Sequence, residues 1–268
     1  MSNLLIRAAS GAVFVSIMIF CIWHSLLATA ILFSVLVAIG LDEFYKMSNA
    51  LEGVRTNRLL GITLGTYSFV SAFLFILGYI SYHWVLFSLI MLVIGLLFEL
   101  FRKSQQPIVN SALLVFGLFY VVAPFYTMLL LRGTQTDEWM FLVGMFVLIW
   151  TNDSFAYLTG RFLGNIKLFE RISPKKTWEG TIGGIVFAVI AGYLVATWIQ
   201  DDVIFWMVAA LLVALGSIFG DLFESMFKRN AGIKDSGNIM PGHGGVLDRF
   251  DAALFSAPIF YLWLLFYS

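Results

Sequence analysis

Charge is scarce in this chain. Of its 268 residues, 12% are Asp, Glu, Lys or Arg, while 60% are hydrophobic and 17% aromatic. Soluble domains carry roughly 25% charged residues, so an ordinary water-soluble domain is excluded. Cysteine is scarcer still. The one cysteine, Cys21, lies inside an apolar run, which excludes a disulfide framework and a thiolate metal site. Low-complexity tracts, internal repeats and any stretch of soluble-domain composition are also missing. The apolar runs do not alternate with polar residues, which excludes a transmembrane barrel.

What the chain has instead is long apolar runs, with a mean hydropathy of +0.92. A helix needs about 20 apolar residues to cross ~30 Å of hydrocarbon. Nine segments approach or reach that length: 4–23, 25–41, 59–80, 84–101, 111–131, 139–159, 181–199, 203–222 and 252–267. The predicted fold is therefore all-α, a polytopic integral membrane protein of about nine transmembrane helices forming one membrane domain over 1–268. Residues 1–150 supply packing and lipid-facing helices, 151–252 a polar region, and 253–268 the last helix. The first residues, with Arg7, an apolar stretch and small residues near 27–30, have the outline of a signal peptide; the stretch is read as a first membrane helix.

The distribution of basic residues sets the orientation. With the N-terminus cytoplasmic, fifteen of the sixteen Lys and Arg residues fall on the cytoplasmic side, and Arg132 alone falls opposite, among Asp137, Glu138, Asp201 and Asp202. The C-terminus is then on the far side.

Four polar constellations interrupt the second half. The first is TNDSFAYLTGR, 151–161. Asn152 and Asp153 sit within an apolar segment, where an acid costs ~2.5–3.5 kcal/mol at the helix centre. Asp153, Tyr157 and Arg161 are spaced by four, which lines one helical face. A helix-capping interfacial acid is the plainer alternative. The second is SPKKTWEGT, 173–181, where Pro174 favours a turn or helix start. Ser173, Lys175, Lys176 and Thr177 offer ammonium and hydroxyl donors suited to phosphate oxygens. A positive flank before the next helix would account for the lysines but not for the hydroxyls.

The third is GDLFESMFKRNAGIKD, 220–235. Asp221, Glu224, Ser225 and Lys228 share one face of a continuing helix. A solvated face explains Lys228 and Arg229 but explains Asp221 poorly. The fourth is PGHGGVLDRFD, 241–251, with Gly242, Gly244 and Gly245 free to adopt conformations closed to other residues. Their N–H groups can form an anion-binding nest. Asp248 and Asp251, three apart, face the same way at a helix start, and with Asp221 they offer carboxylates to a divalent cation such as Mg²⁺. Arg249 is suited to a carboxylate or a phosphate. His243 is read as a hydrogen-bonded loop residue before a general acid. The combination points to a phosphate-rich ligand carrying Mg²⁺ at the membrane surface.

Ser225-x-x-Lys228-Arg229, then Lys234-Asp235, then His243-Gly244-Gly245-x-x-Asp248-Arg249-x-Asp251 resembles the signature of the phosphatidate cytidylyltransferases, and SPKKTWEG and NDSFAYLTGR resemble further segments of that family. The resemblance is densest over 150–252. It implies a nucleotidyltransferase that joins CTP and phosphatidate into CDP-diacylglycerol with release of pyrophosphate, requiring Mg²⁺ with K⁺ as a second ion. It also implies membrane lipid and a second copy of the chain as partners, no nucleic acid, and a bacterial inner membrane with the site facing the cytoplasm. Asp221, Lys228, Asp248 and Asp251 would be catalytic, with the three aspartates on the metal. Asn152, Asp153, Ser173, Lys175, Lys176, Thr177, Ser225, Arg229, Lys234, His243, Gly244, Gly245 and Arg249 would bind substrate. Two rivals stand beside it. One is a CTP-dependent transferase for another lipid phosphate. The other is an ion-coupled transporter using Asp153 and Asp221, against which the acids cluster at one membrane face.

Overall fold

The computed structural model describes residues 3–135, 137–237 and 244–267, with side chains from Ser10 onward in the first helix. His243, Pro241 and Gly242 of the glycine-rich stretch lie outside the described residues. Among those described, eight helices are long and apolar enough to cross a membrane, and Ser10–His24 forms a shorter apolar helix. The chain is an all-α polytopic membrane protein, and it divides into two compact units: Met1–Leu129 with Phe227–Arg249, and Leu130–Met226 with Phe250–Ser268. The polar region expected as one stretch over 151–252 is thus shared between the units.

The first unit holds α1 (Asn3–His24), α2 (Leu26–Ser48), α3 (Arg58–Ile76), α4 (Tyr82–Phe101) and α5 (Pro107–Gly117). A π turn at Leu118–Val122 leads from α5 into α6 (Ala123–Arg132). The boundaries follow from local chemistry. Ser25 separates α1 from α2 by capping the latter, its Oγ accepting the Ala28 N–H at 3.1 Å. Asn57 does the same for α3 through Leu60 N–H at 3.1 Å. Pro107 starts α5 at a position where a missing N–H costs nothing. The core is aromatic: Phe33 meets Phe125 edge-on at 5.4 Å, and Phe44 stacks on Phe227 at 5.3 Å. Buried Tyr45 donates to the Leu114 carbonyl at 2.9 Å. Glu99, 5% exposed, accepts from Asn110 Nδ2 at 2.6 Å and from Ser104 Oγ at 2.5 Å.

The second unit holds α7 (Trp139–Leu163), α8 (Trp178–Ile199), and the larger parts of α9 (Val203–Asn230) and α10 (Leu247–Tyr267). Helices α7 and α8 approach backbone to backbone. A Cβ at Gly184 would sit 2.8 Å from the Asn152 carbonyl oxygen, and one at Gly180 would sit 2.7 Å from that of Ala156. Small residues allow this in membranes, where close packing replaces the hydrophobic drive. Trp206 is fully buried, stacks on Phe141 at 5.8 Å and donates its indole N–H to Asp201 at 3.0 Å. Ahead of α9, Asp202 accepts the Phe205 N–H at 2.8 Å, and that bond holds its carboxyl below the usual carboxylate range.

Two features depart from the sequence reading. The apolar segments do not mark where the helices stop: α2 continues past 41 to Ser48, α9 past 222 to Asn230, and α10 begins at Leu247 before 252. Between α7 and α8, moreover, the chain forms a two-stranded antiparallel hairpin, β1 (Lys167–Phe169) with β2 (Ser173–Thr177), in the register Lys167 opposite Thr177. The turn or helix start expected at Pro174 is a strand position. Proline is tolerated there because a two-stranded ribbon leaves each strand an unpaired edge.

Candidate active site

In the second unit strand β2 and helices α7, α8 and α9 line a cavity of about 400 Å³. Small-molecule sites run from roughly 300 to 1,000 Å³. Strand β2 delivers Lys175 and Lys176, and α8 begins directly after it because Thr177 caps it, accepting the Gly180 N–H at 3.2 Å. Asn152, Asp153, Tyr157 and Arg161 line the cavity from α7, and Asp221 lines it from α9. The residues of α7 at four-residue spacing thus share one opening. Arg161 reaches back to the Tyr157 hydroxyl at 3.2 Å, which steadies its guanidinium.

The cavity holds an ion pair. Lys176 Nζ lies 2.6 Å from Asp221 Oδ2, with the side chains 26% and 37% exposed. The other oxygen of Asp221 accepts from Ser225 Oγ at 3.2 Å. Asp153 Oδ1 accepts from Ser217 Oγ at 2.9 Å and from Asn152 Nδ2 at 3.1 Å, so the acid is held by neutral donors from α7 and α9. Thr177 is buried in its capping role, while Ser173 is half-buried at the start of β2. Asp251 also belongs to this unit and accepts the Ala252 N–H at 2.7 Å.

In the first unit a second knot forms around Asp248. Lys228 Nζ donates to its Oδ1 at 2.7 Å, with the two side chains 12% and 8% exposed. Its Oδ2 accepts from Ser236 N–H at 2.9 Å, Ser236 Oγ at 3.0 Å and Gly245 N–H at 2.8 Å. Gly244 has φ +79, in the region that favours glycine, and a Cβ there would run into the Asp248 carboxylate. Arg229 donates to the Ile233 carbonyl at 3.3 Å, Lys234 is exposed, and the Arg249 N–H bonds the Val246 carbonyl at 3.0 Å. Beside the knot, a cavity of about 540 Å³ is bordered by Lys46, Ile233, Asp235 and Ser236.

Sequence reasoning did not single out Ser217, Ser236 or Glu43. Glu43 is 2% exposed, and its carboxylate accepts from Ser236 Oγ, Val246 N–H and Leu247 N–H. The signal available was partial: Glu43 lies two residues past an apolar run, where a buried acid is expensive unless it is held.

Among the described residues, no three His, Cys, Asp or Glu side chains converge as a ready metal cage. Mg²⁺ does not require one, since it binds through one or two carboxylates plus substrate phosphates and retains waters. Asp221 supplies a carboxylate that opens on a cavity lined by cations, and the oxygen-only donor set fits a hard divalent ion. The three acids named for the metal divide between the units, Asp221 and Asp251 in one and Asp248 in the other.

Fold and site together define a polytopic all-α membrane protein with a phosphate-compatible cavity where cations and a carboxylate meet. Residues 5–267 match the cytidylyltransferase family, and the chain belongs to it. It is 36% identical over 181 residues to a phosphatidate cytidylyltransferase of Rickettsia bellii, covering 65% of this chain and 77% of that one. It is 45% identical over 148 residues to one of Brucella suis, covering 55% of each, and 33% identical over 170 residues to one of Staphylococcus saprophyticus, covering 63% and 64%. The chain thus spans about half the length of the Brucella relative it matches.

Proposed function

We propose that this chain is a phosphatidate cytidylyltransferase, joining CTP and phosphatidate into CDP-diacylglycerol with release of pyrophosphate. The observation that carries the reading is the cavity that brings Arg161, Lys175, Lys176 and Asp221 together in a membrane protein of the cytidylyltransferase family. The chemistry needs what these residues offer. A phosphomonoester has a second pKa of about 6, so the lipid phosphate is already largely dianionic near neutrality, and no general base is required. One of its oxygens attacks the α-phosphorus of CTP. A new P–O bond forms as the bond from that phosphorus to the bridging oxygen breaks, and pyrophosphate leaves with the electron pair.

The obstacle is repulsion between two anions. Lys175, Lys176 and Arg161 answer it with fixed positive charge aimed where negative charge gathers. The Lys176–Asp221 pair holds the ammonium in place before substrate arrives. Mg²⁺, when bound, neutralises charge on the leaving pyrophosphate. Asp221 would hold it, Asp248 and Asp251 are the further carboxylates proposed for it, and K⁺ is the proposed second ion. Ser225, Lys228, Arg229 and Lys234 are assigned to phosphate handling. The acyl chains remain in lipid while CTP enters from the cytoplasmic face of the inner membrane, the side that positive-inside asymmetry favours. The working assembly is proposed to be a homodimer.

Pyrophosphate release by purified protein in detergent, with CTP, Mg²⁺ and phosphatidate each omitted in turn, tests the reading. Release that requires all three and yields a CDP-lipid is expected. Release with a polyprenyl phosphate or an ether-lipid phosphate, but not with phosphatidate, would reassign the substrate. No release by folded protein with any of these lipids would overturn the transferase reading.

A further inference from the structure

We infer that Glu43, on α2, is a positioning residue for the glycine-rich loop: it clamps the two ends of the stretch between Ser236 and Leu247 and thereby sets the place of Asp248. Glu43 is 2% exposed in a helix long and apolar enough to cross a membrane, a costly position for an acid. Among the described residues, what receives it is not a cation but three neutral donors: Ser236 Oγ at 3.0 Å, Val246 N–H at 3.0 Å and Leu247 N–H at 2.9 Å. Val246 immediately precedes α10 and Leu247 begins it, and the first N–H groups of a helix have no partner inside it and carry its positive dipole end. Glu43 therefore caps that helix from another element, about two hundred residues away in sequence (|i−j| of 203 and 204).

The same carboxylate fixes the other end of the loop. Ser236 lies between Glu43 and Asp248, its Oγ 3.0 Å from Glu43 Oε2 and 3.0 Å from Asp248 Oδ2. One hydroxyl carries one proton, so the two acids share it, while the backbone N–H groups of Ser236 and Gly245 hold Asp248 and those of Val246 and Leu247 hold Glu43. Gly237 and Gly245 flank it, and a Cβ on either would overlap the Glu43 carboxylate. Both glycines are thus explained by the approach of Glu43, and Gly245 belongs to the His-Gly-Gly run that sequence alone assigned to substrate. The chain of contacts runs from α2 through Ser236 and the start of α10 to Asp248 and its partner Lys228. Glu99 serves as the contrast: it is similarly buried in the same unit, and it is held by Asn110, Ser104 and, at 3.4 Å, the Arg102 guanidinium.

The inference rests on the cytidylyltransferase reading for its kinetic test but not for its exchange test. Glu43→Gln keeps the shape and turns one acceptor oxygen into a donor, so a backbone N–H at the start of α10 loses its partner. In detergent-purified protein, kcat is expected to fall by about 10- to 100-fold, the range for losing a residue that orients a site from behind. KM for CTP should stay within about threefold, since the cations proposed to bind it, Arg161, Lys175 and Lys176, belong to the other unit. Glu99→Gln is expected to lower thermal stability without changing kcat of the folded protein. In hydrogen exchange, the amides of Ser236 and Gly245, which Asp248 rather than Glu43 holds, should exchange at least about tenfold faster in Glu43→Gln and unchanged in Glu99→Gln. Unaltered protection at those two amides, or a kcat within about twofold of the parent in folded Glu43→Gln protein, would overturn the inference. Should Glu43→Gln fail to fold, Glu43→Asp, which keeps the charge and shortens the reach, is read on the same two measures. If the parent itself releases no pyrophosphate, the substrate reading fails while the exchange result still decides the placement.

Discussion

At Asp248, donors from three places in the chain meet one carboxylate: Lys228 on Oδ1, and Ser236 and Gly245 on Oδ2. Removing its charge has two separable consequences. The first is structural, because Lys228, 12% exposed, loses the 2.7 Å ion pair it makes with Asp248. Breaking such a pair from one side costs on the order of 3 kcal/mol. The second is catalytic. Asp248→Asn is expected to lower the thermal midpoint and to abolish pyrophosphate release. Adding Lys228→Met replaces the second member of the pair and should recover part of the midpoint, since a buried pair can be replaced at little cost, yet activity should stay lost. Recovery of activity along with stability would mean that the pair serves only folding. At this scale the sequence was readable where motifs are dense. Asp221, Lys176 and Arg161 were all selected from spacing and residue type, and they share a cavity. Glu43 was passed over because the apolar run was taken to end at 41, which left the acid in a connector. Its importance comes from partners about two hundred residues later (|i−j| of 193 to Ser236), and no local pattern reports a contact at that separation.

At the scale of elements, the cavity depends on how closely α8 lies against α7. Gly184 is where the two backbones leave no room, since a Cβ there would be 2.8 Å from both the carbonyl and the side-chain oxygen of Asn152. Asn152 in turn donates to Asp153, so a wedge at Gly184 acts on the cavity wall. Gly184→Val is therefore expected to destabilise the protein by roughly 1–3 kcal/mol, the usual penalty for overpacking, and to reduce activity more than that loss of folded protein accounts for. Thermal unfolding together with kcat of the soluble fraction checks it; a stable variant of normal kcat would show that the helices can part without consequence. The helices were legible because lipid demands long apolar runs. The hairpin at 167–177 was not. Its strands are three and five residues long, too short for alternation to register, and they exist because β1 and β2 pair with each other. Pro174 pointed away from a strand, a rule that holds for central strands and fails in a two-stranded ribbon.

At the scale of the molecule, the asymmetry of basic residues carries the orientation. Fifteen of sixteen Lys and Arg lie in the connectors and helix ends assigned to the cytoplasm, among them Lys175, Lys176, Lys228 and Lys234. The proposed activity would require the same side, because CTP is a polyanion of the cytoplasm. Both considerations involve the same lysines, and a labelling experiment tests the orientation directly. Cys21 is the only native cysteine, so Cys21→Ser gives a clean background for single cysteines at Thr134 and Lys234, both exposed. A membrane-impermeant maleimide applied to intact cells from which any outer membrane has been removed should label Thr134→Cys and spare Lys234→Cys until the membrane is permeabilised. The reverse pattern would place the cation-lined cavity on the face that CTP does not reach. It would then overturn the orientation and, with it, the route by which nucleotide and lipid phosphate are brought together.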